Sequence, residues 1–432
     1  MPMPAIAKML PITLKPDSAR TVLRRFALED PSAYARKDYP RVRRIAERVM
    51  AFDQPALDAK LESMMDTLGM RHRDVHVHLL RRFDELECLT FTRAQIGDAR
   101  ALVIGAYLSE EFSFESVALF NPSVVAHPDQ TGIAAGDTRI LLSLRGIGEG
   151  HVSSLIFRTG TWAADGMLTI DEPSAYAVPP IPGDVVETDG IRTVALDCGG
   201  SCDVSESVIF PFLPSQGKGI EDMRLCAFTD DDGTRDFRGT FTAFNGADVR
   251  QTLLRTPDFK HFEMHTVTGP LAESKGAALF PRRIDGRYFI IGRQDSENLW
   301  LFSSDNVHHW ENGTKLLGPR FPWEAIQIGN CGSPIEIDEG WLMLTHGVGM
   351  IRNYCVGACL LDKKDPSKVL ARSAEPILRP SAATRDGYVP NVAYSCGVLV
   401  FGRTLLLPYG VADTFTAFAT ISIDALLATL TG

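Results

Sequence analysis

The sequence predicts an all-β fold, a five-bladed β-propeller, preceded by an N-terminal α-helical extension. From about residue 99 to the end, short apolar runs alternate with Gly, Asp, Asn and Pro, which is typical of short strands joined by tight turns. Runs near residues 239, 288, 341 and 404, with an earlier unit over 100–170, give five repeats of roughly 50 to 60 residues. A repeat of two-sheet sandwiches is the alternative that the uneven period leaves open.

Composition and charge describe an ordinary globular chain. Of its 432 residues, 45% are hydrophobic and 23% are charged, which supplies ample material for a core. The formal net charge of -10 argues against broad binding to nucleic acid or to anionic membranes. An acidic protein that handles an anion must therefore provide a local basic pocket.

The sequence favours a cytoplasmic protein without a metal cofactor. Residues 1–14 contain three prolines and lack the charged start of a secretory signal. No stretch approaches the roughly 18 uninterrupted apolar residues of a membrane span. The eight cysteines are scattered, and the pairs Cys198/Cys202 and Cys355/Cys359 lack zinc-site spacing, so we expect reduced thiols.

Residues 1–97 are predicted to form the helical extension, and residues 98–432 the propeller. Helical periodicity is clearest at Leu57, Leu61, Met64, Met65 and Leu68. Many arginines lie between Arg20 and Arg48, but acidic residues interleave with them. We therefore expect a solvated helical face or a contact with an acidic neighbouring subunit rather than nucleic-acid binding, and we favour homo-oligomerisation as the role of these helices.

Within residues 98–432, we predict strands from apolar runs and turns from Asp-Gly punctuation. The predicted strands include 101–104, 139–142, 239–244, 288–291, 341–344 and 404–407. The predicted tight turns are at 231–233, 285–286 and 338–340.

The stretch Gly219-Ile220-Glu221-Asp222-Met223-Arg224-Leu225 is the strongest chemical signal. It places two carboxylates and an arginine where a loop re-enters a strand, a common position for catalytic groups. Because side chains alternate along an extended strand, only one of Glu221 and Asp222 is expected to face a given pocket. A surface acidic pair bound to a local arginine is the alternative.

Several cations and polar residues also lie at strand ends, where propeller loops converge. Lys275 and Arg293 either serve an anion or pair with the local carboxylates Glu273 and Asp295. His346, beside Gly347, is either a core histidine or a ligand-binding residue.

Taken in order, these stretches resemble glycoside hydrolase family 130, the β-mannoside phosphorylases and related mannosidases, in its long-chain branch. The matching motifs are Asn121-Pro122-Ser123, Leu144-Arg145, Gly219 to Arg224, Thr242-Ala243-Phe244, Lys275 to Pro281, Gly340-Trp341-Leu342, Thr345-His346-Gly347-Val348, Leu361-Asp362, Asp365 to Val369, Tyr388-Val389-Pro390-Asn391 and Tyr409 to Thr414. The resemblance runs from about residue 100 to the end and implies a five-bladed propeller.

The resemblance also implies roles for individual residues. Asp222 takes the position of the family's general acid. The positions that resemble phosphate-binding residues are Arg145, Lys275, Arg293, His346 and Tyr388. Those that resemble sugar-side contacts are Asn121, Ser123, Arg224, Asp295 and Asp413. Two departures are Met223, where proline is common, and Asn245-Gly246, where the phosphorylases often carry arginine.

The number of acids and cations separates two mechanisms. Inverting hydrolysis needs a second carboxylate to activate water, whereas phosphate is already nucleophilic and needs positioning and charge neutralisation. The several cations favour a phosphorylase that cleaves a terminal β-mannosyl unit with inorganic phosphate as co-substrate, giving α-mannose 1-phosphate. An inverting β-mannosidase with Glu149 or Glu324 as base is the alternative. A non-catalytic propeller that binds glycan or protein is a third hypothesis.

Overall fold

The chain is mostly β in a computed structural model that describes residues 6–26, 28, 30, 32, 35–36, 38–89, 91–381 and 387–432, with the side chain of Cys88 left out. Strands take 44% of the residues and helices 19%. The chain divides into a β unit (Met1–Asp17, Glu115–Ser174 and Pro179–Gly432) and a helical unit (Ser18–Phe114 and Ala175–Val178).

The first strand, β1 (Ala7–Leu14), belongs to the β unit, although the sequence placed it in the helical extension. It pairs antiparallel with β27 (Phe415–Ser422), with an irregularity between Met9 and Thr13 that accommodates Pro11. The partner strand lies some 400 positions away in the sequence. A local pattern carries no information about such a pairing.

The helical unit contains most of the predicted helices. Its elements are β2 (Thr21–Arg25), α1 (Arg41–Met50), α2 (Gln54–Gly69), α3 (Val75–Asp84), α4 (Arg93–Ile96), α5 (Asp98–Tyr107) and β3 (Ser109–Ser113). Asp53 caps α2 by accepting a hydrogen bond from the Ala56 amide at 2.9 Å. The first segment of the unit ends at Phe114, beyond the predicted boundary after residue 97.

The strand predicted at residues 101–104 is wrong, because these residues lie in α5. Ala101, Leu102, Val103, Ile104 and Gly105 are all buried. A helix buried on every side is apolar throughout, so no 3.6-residue period separates it from a buried strand.

The β unit contains an eleven-stranded, a four-stranded, a six-stranded and a five-stranded sheet among the described residues. The eleven-stranded sheet consists of β4 (Ala118–Ala126), β5 (Thr138–Ile147), β6 (Ser153–Trp162), β7 (Leu168–Ile170), β8 (Ile181–Thr188), β9 (Ile191–Asp197), β10 (Val208–Ile209), β11 (Gly219–Thr229), β12 (Arg235–Phe244), β13 (Val249–Thr256) and β14 (His261–Thr266). The four-stranded sheet consists of β15 (Ala278–Leu279), β16 (Tyr288–Gly292), β17 (Leu299–Ser304) and β18 (Thr314–Leu317).

The two remaining sheets come from the C-terminal third. The six-stranded sheet consists of β19 (Gln327–Asn330), β20 (Ile335–Ile337), β21 (Gly340–Gly349), β22 (Asn353–Leu361), β23 (Val369–Ser373) and β28 (Leu430–Thr431). The five-stranded sheet consists of β1, β24 (Ala393–Tyr394), β25 (Leu399–Phe401), β26 (Thr404–Val411) and β27, and α6 (Ile423–Leu427) follows. Apart from 101–104, the predicted strands named above all lie in these sheets, in β5, β12, β16, β21 and β26.

Apolar clusters lie between successive groups of strands and hold them together. One joins β11 and β13 with β15, β16 and β17 and includes Phe228 and Phe302. Another joins β16 and β17 with β21 and β22 and includes Phe280 and Trp341. A third joins β21 and β22 with β26 and β27. The groups therefore pack in chain order, and the site residues lie at their strand ends.

Candidate active site

Glu221 and Asp222 lie at the start of β11, where the strand is bulged. Asp222 has a φ of 55°, and the register against β12 shifts between Glu221 and Arg224. A bulge interrupts the alternation of side chains along a strand and re-aims them. The prediction that only one of the two carboxylates faces a given pocket is therefore wrong, since both bind one guanidinium.

Arg145, near the end of β5, supplies that guanidinium. Its Nη2 donates to Glu221 Oε1 at 2.9 Å, and its Nη1 donates to Asp222 Oδ1 at 3.3 Å. Asn121 Nδ2 donates to the same Asp222 oxygen at 2.8 Å, and Lys275 Nζ lies 3.0 Å from Glu221 Oε2. One amide and two cations from the predicted set thus contact the carboxylate pair directly.

The surroundings of Asp222 hold it in the ionised form. Burial would raise the pKa of Asp222, but the charges of Arg145 and Arg224 and the hydrogen bond from Asn121 outweigh burial, and the pKa is lowered. A general acid must carry a proton. Neutralising the surrounding cations would therefore move Asp222 toward the state that an acid needs.

Asp413, in the turn between β26 and β27, shows the opposite shift. Burial and the nearby charge of Asp222 raise the pKa of Asp413 to about 6. Arg145 and Arg352 act in the opposite direction without cancelling this rise. Carboxyl groups whose environments separate their pKa values in this way are typical of catalytic sites.

Replacing Asp413 by Asn is expected to stabilise the protein at neutral pH. The folded protein keeps a proton on Asp413 up to about pH 6, whereas an unfolded aspartate releases it near pH 3.9. The contribution of Asp413 to wild-type stability therefore falls as the pH rises from about 4 through 6. Because Asn cannot ionise, the variant should gain about 2–3 kcal/mol above pH 6 and nothing below about pH 4.

Urea unfolding at pH 4, 6 and 8 measures this gain. Asp305→Asn is the matched control, because the Asp305 side chain is 86% exposed and its loss should change stability little at any pH. A difference between Asp413→Asn and wild type that stays constant from pH 4 to 8 would contradict the prediction.

Arg224 is buried and fully engaged. It is 2% exposed, and its Nε donates to Asn330 Oδ1 at 2.8 Å. Its Nη2 donates to the Tyr394 hydroxyl at 2.6 Å, and its Nη1 donates to the Asp222 carbonyl at 2.9 Å. Arg224, which was predicted to contact the substrate, thus holds the backbone of Asp222. Burial raises the pKa of the Asp222 carboxyl, and the charge of Arg224 lowers it.

Arg293, immediately after β16, has no carboxylate partner among the described residues. Its Nε donates to the Lys275 carbonyl at 3.4 Å, and the Gln327 amide oxygen accepts from its Nη1 when the amide is oriented toward it. A Cβ on Gly276 would lie 3.8 Å from Arg293 Nε and 3.1 Å from Arg224 Nη2. The glycine therefore leaves room for two guanidinium groups.

Local pairing of the cations, the alternative that the sequence left open, is wrong. Glu273 pairs with Arg250 instead of Lys275. Asp295 accepts hydrogen bonds from the amides of Glu297 and Asn298 in its own turn.

His346, in β21, lies beside this group of cations. Its Nδ1 is 3.0 Å from the Asn330 carbonyl, and it is 1% exposed. Burial and the charges of Arg293 and Arg224 keep its pKa well below the usual value, so the imidazole is neutral at pH 7. A Cβ on Gly329 would overlap this ring, which explains the glycine opposite it.

Three predicted site residues make other contacts. Ser123 is fully buried, and its Oγ donates to the Leu225 carbonyl at 3.3 Å. The Asp295 carboxylate also accepts from Trp300 Nε1 at 3.1 Å. Tyr388 is 67% exposed, and its ring stacks with His151 at 5.8 Å between centroids.

The two candidate bases of a hydrolase, Glu324 and Glu149, differ in their exposure to solvent. Glu324 is fully buried, and its Oε1 accepts from the Arg320 amide at 2.9 Å and from Arg372 Nη2 at 2.5 Å. Its carboxylate is therefore committed to structure. Glu149 lies exposed in the turn between β5 and β6.

The sequence did not point to Asn330 or Tyr394. They lie 106 and 170 positions from Arg224, and the Tyr394 ring is 4.8 Å from that of His346. Neither residue belongs to a local motif, so only the sheet topology reveals their contribution.

Across the described residues, no group of three or more His, Cys, Asp and Glu side chains is arranged to hold a metal ion. In the same part of the chain, no helix has the length and apolar character that crossing a membrane requires.

Comparison with known proteins identifies relatives by sequence. The family described as beta-1,4-mannooligosaccharide phosphorylase matches residues 204–431. The beta-1,2-mannobiose phosphorylase of Listeria innocua is 33% identical over 227 residues, which are 51% of this chain and 62% of that protein. The 1,2-beta-oligomannan phosphorylase of a Thermoanaerobacter species is 33% identical over 248 residues, 56% of this chain and 78% of that protein.

A solved structure is similar in fold. The Listeria innocua enzyme in complex with beta-1,2-mannobiose superposes with a TM-score of 0.53 and 24% identity, covering 74% of this chain and 92% of that one. The similarity extends beyond residues 204–431 and includes much of the β unit. The chain belongs to glycoside hydrolase family 130.

Proposed function

We propose that this chain is an inverting glycoside phosphorylase that transfers a terminal β-mannosyl unit of a manno-oligosaccharide to phosphate, giving α-mannose 1-phosphate. The charge balance of the site carries the proposal. Its four cations are Arg145, Arg224, Lys275 and Arg293, and its carboxyl groups are Glu221, Asp222 and Asp413. The site therefore has an excess of one or two positive charges, depending on the proton of Asp413, which a phosphate anion would neutralise.

The same residues argue against water as the nucleophile. An inverting hydrolase needs a second carboxylate as base. Of the two candidates, Glu324 is buried against Arg372, and Glu149 lies exposed in the turn between β5 and β6 rather than in the cluster of Glu221 and Asp222. Glu221 is held by Arg145 and Lys275. Phosphate needs no base, only cations that position it. The relatives compared above are named as phosphorylases, which supports this choice.

In the proposed reaction, Asp222 donates its proton to the glycosidic oxygen, directly or through a sugar hydroxyl. A phosphate oxygen attacks the anomeric carbon from the opposite face while the bond to the leaving oxygen breaks. The leaving sugar departs with the proton of Asp222. The proton of the hydrogenphosphate ion then returns to Asp222, so that the two substrates and the two products balance.

Phosphate binding would also prepare the acid. Arg145 and Arg224 oppose burial and keep the pKa of Asp222 low. An anion bound beside these arginines, at Lys275 and Arg293, would offset their charge and leave burial dominant, which raises the pKa of Asp222. The acid would thus be protonated mainly when the nucleophile is in place.

The remaining site assignments follow from the contacts. We assign phosphate to Lys275, Arg293 and His346, with Arg145 linking this cluster to Asp222, and Tyr388 at its exposed border. On the sugar side, we assign direct contact to Asn121 and Asp413, and positioning roles to Ser123, Arg224 and Asp295. These last three are engaged in buried or turn hydrogen bonds.

Within this proposal, the β unit is a five-bladed propeller that carries catalysis. Its blades would be β4 to β7, β11 to β14, β15 to β18, β19 to β23, and β24 to β27 closed by β1. The helical residues would serve homo-oligomerisation, and we propose neither nucleic-acid nor membrane partners. Six of the described cysteines, Cys198, Cys226, Cys331, Cys355, Cys359 and Cys396, are free thiols, which supports a cytoplasmic location.

Synthesis is the experiment that tests the proposed function. Purified protein is incubated with α-mannose 1-phosphate and a panel of acceptors, including mannose, glucose and β-1,2- and β-1,4-mannobiose, and phosphate release is measured. Release that depends on acceptor is the expected result. No release with any acceptor, together with mannose release from β-mannobioses in phosphate-free buffer, would establish a hydrolase instead.

A further inference from the structure

The hairpin of β21 and β22 ends in a strained connection, Met350-Ile351-Arg352, which we call the rim tip. Gly349 and Asn353 pair across the hairpin, so these three residues form the whole connection. Ile351 and Arg352 have φ values of 56° and 53°. This left-handed conformation is easiest for Gly, Asn and Asp and is a marked outlier for a β-branched residue.

The rim tip presents apolar side chains to solvent. Met350 is 82% exposed and Ile351 is 86% exposed, so neither fills the core. Short hairpin connections usually place Gly or Asn at left-handed positions. Because the apolar side chains of the rim tip are exposed, they add no packing that would offset the backbone strain. Backbone strain of this kind is characteristic of functional sites, and exposed apolar groups mark binding surfaces.

Two relationships connect the rim tip to the candidate active site. The Arg352 guanidinium carbon lies 5.9 Å from the centre of the Tyr354 ring, and that ring stacks with His346 at 5.9 Å between centroids. Burial raises the pKa of Asp413, and the charge of Arg352 acts in the opposite direction. Arg352 therefore lies over the ring that stacks with His346, and its charge acts on the carboxyl group of Asp413.

An aromatic pair, His151 and Tyr388, borders the turn between β26 and β27 that contains Asp413. Its two rings stack at 5.8 Å between centroids, and Tyr388 is 67% exposed. The Tyr388 amide donates to Thr414 Oγ1 at 2.8 Å, one position after Asp413. His151, like Ile351, has a left-handed backbone, with a φ of 58°.

We propose that the rim tip and the aromatic pair bind the leaving-group sugar, the part of the substrate that remains after mannosyl transfer. The inference rests on the proposed function. With the terminal mannosyl unit placed against Asp222, a next sugar that extends toward solvent would pass the turn of Asp413, whose carboxyl group the charge of Asp222 reaches. Pyranose rings offer C–H faces to apolar and aromatic side chains, and the Arg352 guanidinium offers donors to hydroxyl groups.

Ile351→Asn tests the proposal, because Asn adopts the left-handed conformation readily and removes the apolar surface. With α-mannose 1-phosphate saturating, the KM for acceptor should rise roughly tenfold. The Kd for α-mannose 1-phosphate, measured by calorimetry, should stay within about twofold of wild type. The Tm should rise by about 1–3 °C as the strain is relieved. Met350→Ser, whose backbone is not left-handed, should raise the same KM without raising the Tm.

Ile181→Asn is the matched control, since Ile181 is 47% exposed in β8 and the chemical change is identical. It should leave the acceptor KM unchanged. If wild type turns over but neither rim-tip variant changes the acceptor KM, the inference is overturned while the proposed function stands. A rim-tip variant that changes the mass in solution would assign the surface to a second copy of the chain instead. A wild type without acceptor-dependent phosphate release would refute both proposals.

Discussion

Asp222→Asn is expected to lower the kcat for mannoside phosphorolysis by about a thousandfold, within the range typical of general-acid loss. The Asn oxygen can still accept hydrogen bonds from Asn121 and Arg145, so the bulge at the start of β11 should persist. Phosphate binding should not weaken, because the substitution removes a negative charge beside the cations. Initial rates and phosphate titration calorimetry measure the two effects separately.

Glu221→Gln is the matched control, since it removes the same charge from the neighbouring residue. Glu221 contacts Arg145 at 2.9 Å and Lys275 at 3.0 Å, so its loss frees two cations and should alter the KM for phosphate more than kcat. An Asp222→Asn enzyme that keeps more than about a tenth of its activity would contradict the role of Asp222 as acid. Equal losses of kcat in Asp222→Asn and Glu221→Gln would also contradict the role of Asp222 as acid.

Arg293→Gln is expected to raise the KM for phosphate by about 10- to 100-fold, the range that loss of a charge-assisted hydrogen bond gives. Arg293 has no carboxylate partner among the described residues, and its hydrogen bonds go to the Lys275 carbonyl and to the Gln327 amide oxygen. Its removal should therefore weaken the binding of phosphate more than it lowers the stability of the fold. Initial rates across phosphate concentrations, with thermal unfolding in parallel, provide the measurement.

Arg283→Gln is the control for this prediction. Arg283 belongs to the loop between β15 and β16 and pairs with Asp230 at 3.0 Å and with the Tyr288 hydroxyl at 2.6 Å. Its loss should lower the Tm and leave the KM for phosphate unchanged. If Arg293→Gln instead lowers the Tm with an unchanged KM for phosphate, Arg293 is a structural residue and the phosphate site lies elsewhere.

The strands were predictable because their signals are local. The Asp231-Asp232-Gly233 turn between β11 and β12 carries its own backbone preference, and the apolar runs on either side form the hairpin. The run at 101–104 carries no such signal, because a helix buried on all sides and a buried strand are both uniformly apolar. The pairing of β1 with β27 joins the two ends of the β unit, which no local pattern records.

The candidate site was predictable to the extent that its residues lie in motifs. Asn121, Arg145 and Lys275 belong to such motifs, and the structure places them around Glu221 and Asp222. The bulge with Asp222 at a φ of 55° was not predictable, because alternation is the default along a strand. Tyr394 and Asn330 belong to the site because they accept hydrogen bonds from the buried guanidinium of Arg224. Only the packing of strands that are distant in sequence brings them there.

The products of mannoside cleavage test the central claim most directly. The mannoside formed with the best acceptor is incubated with the enzyme at increasing phosphate, and ³¹P NMR and a mannose assay quantify the products. The account predicts one α-mannose 1-phosphate for each bond cleaved, with a rate that saturates in phosphate and approaches zero without it. Release of free mannose at a rate independent of phosphate would contradict the account and establish hydrolysis.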